Sequence, residues 1–268
     1  VSAAPALPGK PSSRGGRIQV MAAQVLNDGS LAANGDRGGD VTVAASGAVR
    51  NSGVIEARGL NGAGGSVRIT SGDRVEQSSS GRIDVSAQLA VAIEGAPALS
   101  VPAAPAQGGS VVINAPRIVA EGGIDARAID PHEPVLDDSL TSRSSGTGGE
   151  IRLIADDTQL RNLTLDVSGA AAGGRIMMRL PQPGERIAQA ETGITPSQPV
   201  PGEPAPLRSS LVLSGVTVRS DSRRGRGGEV LLGADDISLT DNTRISAVGG
   251  AGGGRILVGG NWQGQGDW

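Results

Sequence analysis

The stretch GGEIRLIADDTQL, residues 148–160, returns as GGEVLLGADDISL at residues 227–239. Two copies this similar are hard to obtain by chance, and they share the features that decide the fold. Each opens on a glycine pair and passes at once into alternating apolar and polar residues. The apolar positions are Ile151 and Leu153 in the first copy, Val230 and Leu232 in the second. Alternation with a period of two buries one face of a β-strand.

Working outward, the same opening occurs at Gly15-Gly16, Gly38-Gly39, Gly64-Gly65, Gly108-Gly109, Gly173-Gly174 and Gly253-Gly254. The apolar pairs that follow are Ile18 and Val20, Val41 and Val43, Val67 and Ile69, Val111 and Ile113, Ile176 and Met178, and Ile256 and Val258. Where nothing intervenes, the spacing is about 23 to 26 residues, the length of one solenoid coil. A second apolar stretch follows in most units, for example at 25–31, 49–55, 75–85, 160–167 and 237–245. Asn27-Asp28-Gly29, Asn51-Ser52-Gly53 and Asn61-Gly62 separate such stretches and are expected to supply the positive φ that tight corners take. A unit this short cannot bury its apolar face alone and must stack on its neighbours. With parallel strands about 4.8 Å apart, eight units make a rod of roughly 40 Å. The expected fold is all-β: a right-handed parallel β-helix (solenoid) of about eight coils, with the listed Val, Ile, Leu and Met side chains as its structural core ladder.

The residue after each glycine pair reads Arg17, Asp40, Ser66, Ser110, Glu150, Arg175, Glu229, Arg255. Stacking would set opposite charges on neighbouring strands, worth a few tenths of a kcal/mol each. Three Pro-rich segments break the spacing, at 88–107, 129–146 and 181–209. Their composition marks them as loop insertions in a single domain over 15–268, with 1–14 as a Pro-rich N-terminal segment or cap. The first two follow matching strands, GRIDVSA and GGIDARA, and both return at a glycine pair, so they are expected to leave at one corner. The third leaves earlier in its unit. The insertions are expected to cover the outward Val112, Met177, Leu231 and Leu257 or to mediate self-association.

Composition agrees with a narrow, uniform core. The 268 residues include 43 glycines and 16 prolines, no Phe or Tyr, and two tryptophans, Trp262 and Trp268. With no cysteine there is no disulfide framework, thiolate metal site or cysteine nucleophile. A net charge of −3 argues against a nucleic-acid surface. No apolar run approaches the roughly 18 residues of a membrane span. The first ten residues lack the pattern of a signal peptide, and the expectation is a piece of a longer protein. Parallel β-helices also host polysaccharide lyases and hydrolases, so carboxylates matter. Asp156-Asp157 and Asp235-Asp236 fall at equivalent corners about 10 Å apart, too far to share an ion, and read as turn formers. Asp137-Asp138 lies in an insertion. His132 stands alone between prolines, without the further ligands that a metal site needs. No catalytic, cofactor-binding or metal residue is predicted, and no enzymatic activity.

The C-terminal stretch GGRILVGGNWQG, residues 253–264, resembles the GG-x-I-x-V-GG-x-aromatic-QG signature of filamentous-haemagglutinin-like exoproteins of two-partner secretion. The preceding GADDISLTDNTRISAVGGAGGG is similar to the coil that leads into it. The chain departs from that style in its long Pro-rich insertions and in lacking Phe and Tyr. The resemblance implies a secreted, extracellular, cell-surface rod serving adhesion or the cohesion of cells, exported unfolded through an outer-membrane partner. Its partners would be further coils of the same protein or identical subunits stacked end to end, with a cell-surface receptor or polysaccharide as ligand. Trp262 and Trp268 are candidates for end or subunit contacts. The alternative is a carbohydrate-binding or carbohydrate-cleaving β-helix.

Overall fold

Period-two alternation after a glycine pair produces a strand each time, and the strands lie side by side. The computed structural model describes residues 13–60, 62–88, 106–129, 146–181 and 209–259, and contains no helix among them. The first pass of the chain forms β1 (Arg17–Ala22), β2 (Val25–Asn27) and β3 (Ser30–Ala32). The second forms β4 (Asp40–Ala45), β5 (Val49–Asn51) and β6 (Val54–Glu56). The third forms β7 (Ser66–Ser71), β8 (Arg74–Gln77), β9 (Arg82–Asp84) and the short β10 (Ala87–Gln88). Then come β11 (Ser110–Asn114), β12 (Arg117–Asp125) and β13 (Ala128–Ile129), followed by β14 (Glu150–Ile154) and β15 (Asp157–Asp166). The last passes hold β16 (Arg175–Arg179), β17 (Ser210–Ser214) and β18 (Thr217–Arg219), then β19 (Glu229–Leu232), β20 (Asp236–Thr240) and β21 (Arg244–Ser246), and finally β22 (Arg255–Val258).

Every pairing between these strands is parallel. The first sheet has the order β1-β4-β7-β11-β14-β16-β19-β22, which is also chain order: each pass lays its strand beside that of the pass before. A second sheet runs β2-β5-β8-β12-β15-β17-β20, with β3, β6, β9, β18 and β21 continuing its outer half. Parallel strands cannot be joined by a hairpin, and here the crossover is made by the strands of the opposite sheet.

Register is unbroken across the first sheet. Ile18, Val41, Val67, Val111, Ile151, Ile176, Val230 and Ile256 form one inner row, and Val20, Val43, Ile69, Ile113, Leu153, Met178, Leu232 and Val258 the next. Opposite them the second sheet contributes Val49, Val75, Ile118 and Leu211 in one row and Leu31, Ile55, Ile83, Ile124, Leu165 and Val218 in another. These residues make one apolar cluster without an aromatic ring. From Val41 to Leu232 the ladder positions are at most 1% exposed. The ends differ: Val20 is half-buried, and Ile256 and Val258 are 43% and 49% exposed. No described strand lies beyond β22 to cover them.

The corners between the two halves of the second sheet also differ from expectation. Asn27-Asp28-Gly29 and Asn51-Ser52-Gly53 turn without positive φ, as does Gly62; Asn61 lies outside the described residues. Left-handed backbone appears at these corners in the later passes, at Gly122, Asn162, Gly215, Asp241 and Asn242. In the early passes the side chains hold the corner. Asn27 Nδ2 donates to Asn51 Oδ1 (2.7 Å), Asn51 Nδ2 to Gln77 Oε1 (3.3 Å), and Gln77 Nε2 to Glu121 O (2.8 Å). Asn51 and Gln77 are buried, so this axial chain of amides satisfies groups that water cannot reach. The same row continues through Ala120, Leu160 and Leu213 to Leu239.

Candidate functional site

The glycine pairs form an edge where successive passes approach too closely for a side chain. From the second pair on, the second glycine closes its own pass: Gly39 N donates to Ala33 O (2.8 Å), Gly149 N to Ala126 O (2.8 Å), Gly174 N to Val167 O (2.8 Å) and Gly228 N to Ser220 O (2.7 Å). A Cβ on the first glycine of the preceding pair would land on that bond. On Gly148 it would lie 2.5 Å from Gly174 N and closer still to Val167 O. A Cβ on Gly38, Gly64, Gly108 and Gly173 meets the equivalent pair of backbone atoms. Sequence reading recognises these glycines as punctuation; the reason for them is space.

Along this edge runs a groove of about 520 Å³, lined by Arg14, Arg37, Asp40, Ser66, Gln107 and Glu150 among the glycines. Its two carboxylates stand on β4 and β14 with β7 and β11 between them. Three strand steps make about 14 Å, beyond the roughly 5–9.5 Å that separates the paired carboxyls of glycoside hydrolysis.

The row after the glycine pairs is in register from Arg17 to Arg255. Asp40 is held by Arg14 (3.0 Å), Arg17 (4.0 Å) and the Ser66 hydroxyl (2.8 Å). Glu229 sits between Arg175 (2.7 Å) and Arg255 (3.2 Å), and Glu150 takes Arg152 of its own strand (2.8 Å). On the outer face Gln19, Thr42, Arg68, Val112, Arg152, Met177, Leu231 and Leu257 share a row. Leu231 in it is buried, while Val112, Met177 and Leu257 are half-buried.

A third row carries more charge. Glu56, Asp84, Asp125 and Asp166 align on adjacent strands, and the three aspartates are buried. Each accepts the N–H two residues on: Ser86 N to Asp84 (3.0 Å), Arg127 N to Asp125 (3.0 Å) and Ser168 N to Asp166 (2.9 Å). Stacked like charges repel, and arginines bridge them. Arg82 reaches Asp84 (2.9 Å) and Asp125 (3.6 Å), while Arg127 reaches Asp125 and Asp166 (3.8 Å). The hydrogen bond to Asp125 holds the Arg127 guanidinium pKa above its ordinary value, against the opposing effect of burial. Arg58 Nε lies 3.7 Å from Asp84 and, like the Ser86 hydroxyl, is buried with no hydrogen-bond partner among the described residues. The recurring I-D-x-[S/R] of 83–86 and 124–127, matched by L-D-V-S at 165–168, is the signal from which this row could have been read.

Of the other sequence candidates, Asp157 binds Arg117 Nε (2.9 Å) and the Ser210 hydroxyl (2.6 Å). Ser210 is in register with both Asp157 and Asp236, so these two carboxylates stand two strand steps apart. Asp235 accepts the N–H (2.9 Å) and hydroxyl (2.7 Å) of Ser209. Among the described residues no group of three His, Cys, Asp or Glu side chains could hold a metal ion. His132, Asp137, Asp138, Trp262 and Trp268 lie outside the described residues, as does most of each insertion. The first two insertions begin from paired strands, β10 and β13; the third falls between a first-sheet strand, β16, and a second-sheet strand, β17. Comparison with protein-family models, curated proteins and solved structures found no match.

Proposed function

We propose that the chain is a right-handed parallel β-helix forming part of the shaft of an extracellular, cell-surface filament that serves attachment or the cohesion of cells. The observation that carries this reading is the identity of chain order and strand order in the first sheet, with eight strands in register and every pass adding to one axis. Such a body has no natural stop and lengthens by repetition. Its contacts are spent on stacking: the buried carboxylates meet arginines and backbone N–H groups, and the two groove carboxylates are too far apart to act on one bond. The resemblance of residues 253–264 to filamentous-haemagglutinin-like exoproteins supports secretion through an outer-membrane partner. A cell-surface receptor or a polysaccharide is the expected ligand.

Small-angle X-ray scattering and electron microscopy test the reading. An elongated particle, and in longer native material a repeat near 4.8 Å along the fibre axis, is the expected result; a compact particle overturns it. Labelling intact cells with antibody tests the location, and signal seen only after lysis rejects a surface filament. A second reading, binding of an extended polysaccharide, draws on the groove along the glycine edge. It predicts that R14A/R37A weakens retention on a polysaccharide column.

A further inference from the structure

One corner of the stack is dominated by arginine. The run Arg219-Ser220-Asp221-Ser222-Arg223-Arg224-Gly225-Arg226 leads from the end of β18 around the corner to the glycine pair at 227 and 228. Arg219, Arg223, Arg224 and Arg226 are exposed. Residues 168–175, 219–229 and 246–255 form this corner in three consecutive passes, paired at Gly169, Ser222 and Gly249 and again at Ala172, Arg226 and Gly252. Together they hold six arginines and two carboxylates, in a chain whose net charge is −3. Both carboxylates are engaged. Asp221 accepts from the Ser246 hydroxyl and from Val248 N (2.8 Å), and Glu229 sits between Arg175 and Arg255. The corners on either side, Gly169-Ala170-Ala171-Ala172 and Gly249-Gly250-Ala251-Gly252, carry no side chain larger than a methyl group. The arginines therefore stand between two low shoulders.

The backbone beneath these arginines is fixed by both neighbours. Arg224 N donates to Ala170 O (3.0 Å), Gly225 N to the Ser222 hydroxyl (3.0 Å), Ala251 N to Gly225 O (2.9 Å) and Gly173 N to Arg226 O (3.1 Å). A Cβ on Gly225 would overlap Ala171 O, so the adjacent pass fits closely against the corner. With these main-chain groups already used, strand addition by a peptide is disfavoured, and recognition falls to the guanidinium groups. Guanidinium groups bind carboxylate oxygens through paired N–H bonds. Gln107, Thr147, Ala172 and Arg226 pair in turn along the glycine edge. Arg226 thus lies three strand steps, about 14 Å, from Gln107, which lines the groove. A linear polymer lying on that edge reaches both places. We infer that this corner anchors an acidic polysaccharide, one whose sugars carry carboxylates. Duplex DNA fits less well: at one charge per ~1.7 Å it needs a long basic stripe, and outside the corner the chain has more acidic than basic residues. The inference deepens the polysaccharide reading above and rests on it, adding the charge of the ligand and a second point of contact.

The test measures retention of the full chain on immobilised alginate, a carboxylate-bearing polysaccharide, and on neutral dextran at the same salt. The expected result is binding to alginate that weakens as salt rises, with little retention on dextran. R223A/R224A/R226A is expected to weaken alginate binding at least about tenfold. R50A/R68A/R161A, which removes as many exposed arginines elsewhere, is expected to bind as the natural chain does. Circular dichroism monitors folding; if the first triple variant unfolds, R226A alone carries the test, with a smaller loss. Unchanged binding by a folded R223A/R224A/R226A, an equal loss in R50A/R68A/R161A, or tighter binding of duplex DNA than of alginate overturns the inference. Equal retention on dextran and alginate also overturns it and leaves the polysaccharide reading in place. Retention on neither defeats that reading itself, and the inference with it.

Discussion

Replacing Gly148 by alanine places one methyl group on the hydrogen bond that closes the next pass, from Gly174 N to Val167 O at 2.8 Å. The new carbon would stand 2.5 Å from the nitrogen and nearer still to the oxygen, where ordinary contact starts at 3.4 Å. Both atoms are backbone and sit directly beside strand ends, Val167 after β15 and Gly174 before β16, so neither can swing away. Overpacking costs about 1–3 kcal/mol, and parting a buried donor and acceptor costs about 1–3 kcal/mol more. The expected loss is about 2–6 kcal/mol. Gly253 holds the same place in its motif, yet a Cβ there meets nothing within 4 Å. Gly253→Ala is therefore expected to be neutral, or to stabilise by up to about 1 kcal/mol through the unfolded state. Urea unfolding followed by far-ultraviolet circular dichroism measures the difference. Equal loss in the two variants refutes the argument from space, because backbone atoms face the added methyl at Gly148 and none within 4 Å faces it at Gly253.

Side-chain direction predicts a second contrast. Ile69→Ala, at a fully buried ladder position, is expected to cost about 2–5 kcal/mol, Val43→Asp to abolish folding locally, and outward Thr42→Ala to stay within about 0.5 kcal/mol; similar urea midpoints for all three reject the register. Asn51→Leu is expected to destabilise by about 1–3 kcal/mol, although Leu occupies the same row at Leu160 and Leu213, because Gln77 Oε1 and Asn27 Nδ2 lose their partner; calorimetry showing a gain would contradict the amide row. The Glu76 carboxyl is held below its ordinary value of 4.5, first by its hydrogen bond from Arg74. A depressed carboxylate contributes stability that is fully present above the unfolded value and is lost as pH falls through the folded one. Urea midpoints should accordingly fall less steeply below about pH 4.5 in Glu76→Gln than in the natural chain, and parallel profiles would remove Glu76 from the account.

Strand order, inward and outward faces, and the charged row from Arg17 to Arg255 could be read from the sequence because each depends on positions at fixed offset from a glycine pair. What escaped reading depends on neighbours in other passes. Asn27 and Asn51 look like turn residues with positive φ, and their amides instead bond along the axis to Gln77, across 24 and 26 residues. Asp84, Asp125 and Asp166 look like isolated acids until stacking brings Arg82 and Arg127 between them. The glycine pairs announce themselves, but only the facing backbone shows that a methyl group has no room.

The uneven spacing between passes bears on how such a chain folds. Ser66 bonds Asp40 across 26 residues, and Ser210 bonds Asp157 across 53. Chain closure grows only with the logarithm of the loop, so that doubling adds about 0.6 kcal/mol. A long excursion therefore delays a strand far more than it weakens it. Folding is expected to begin between Gly15 and Asp84, where two short intervals between passes follow one another without an insertion, and to advance by templating, each finished turn offering a ready edge to the next segment of chain.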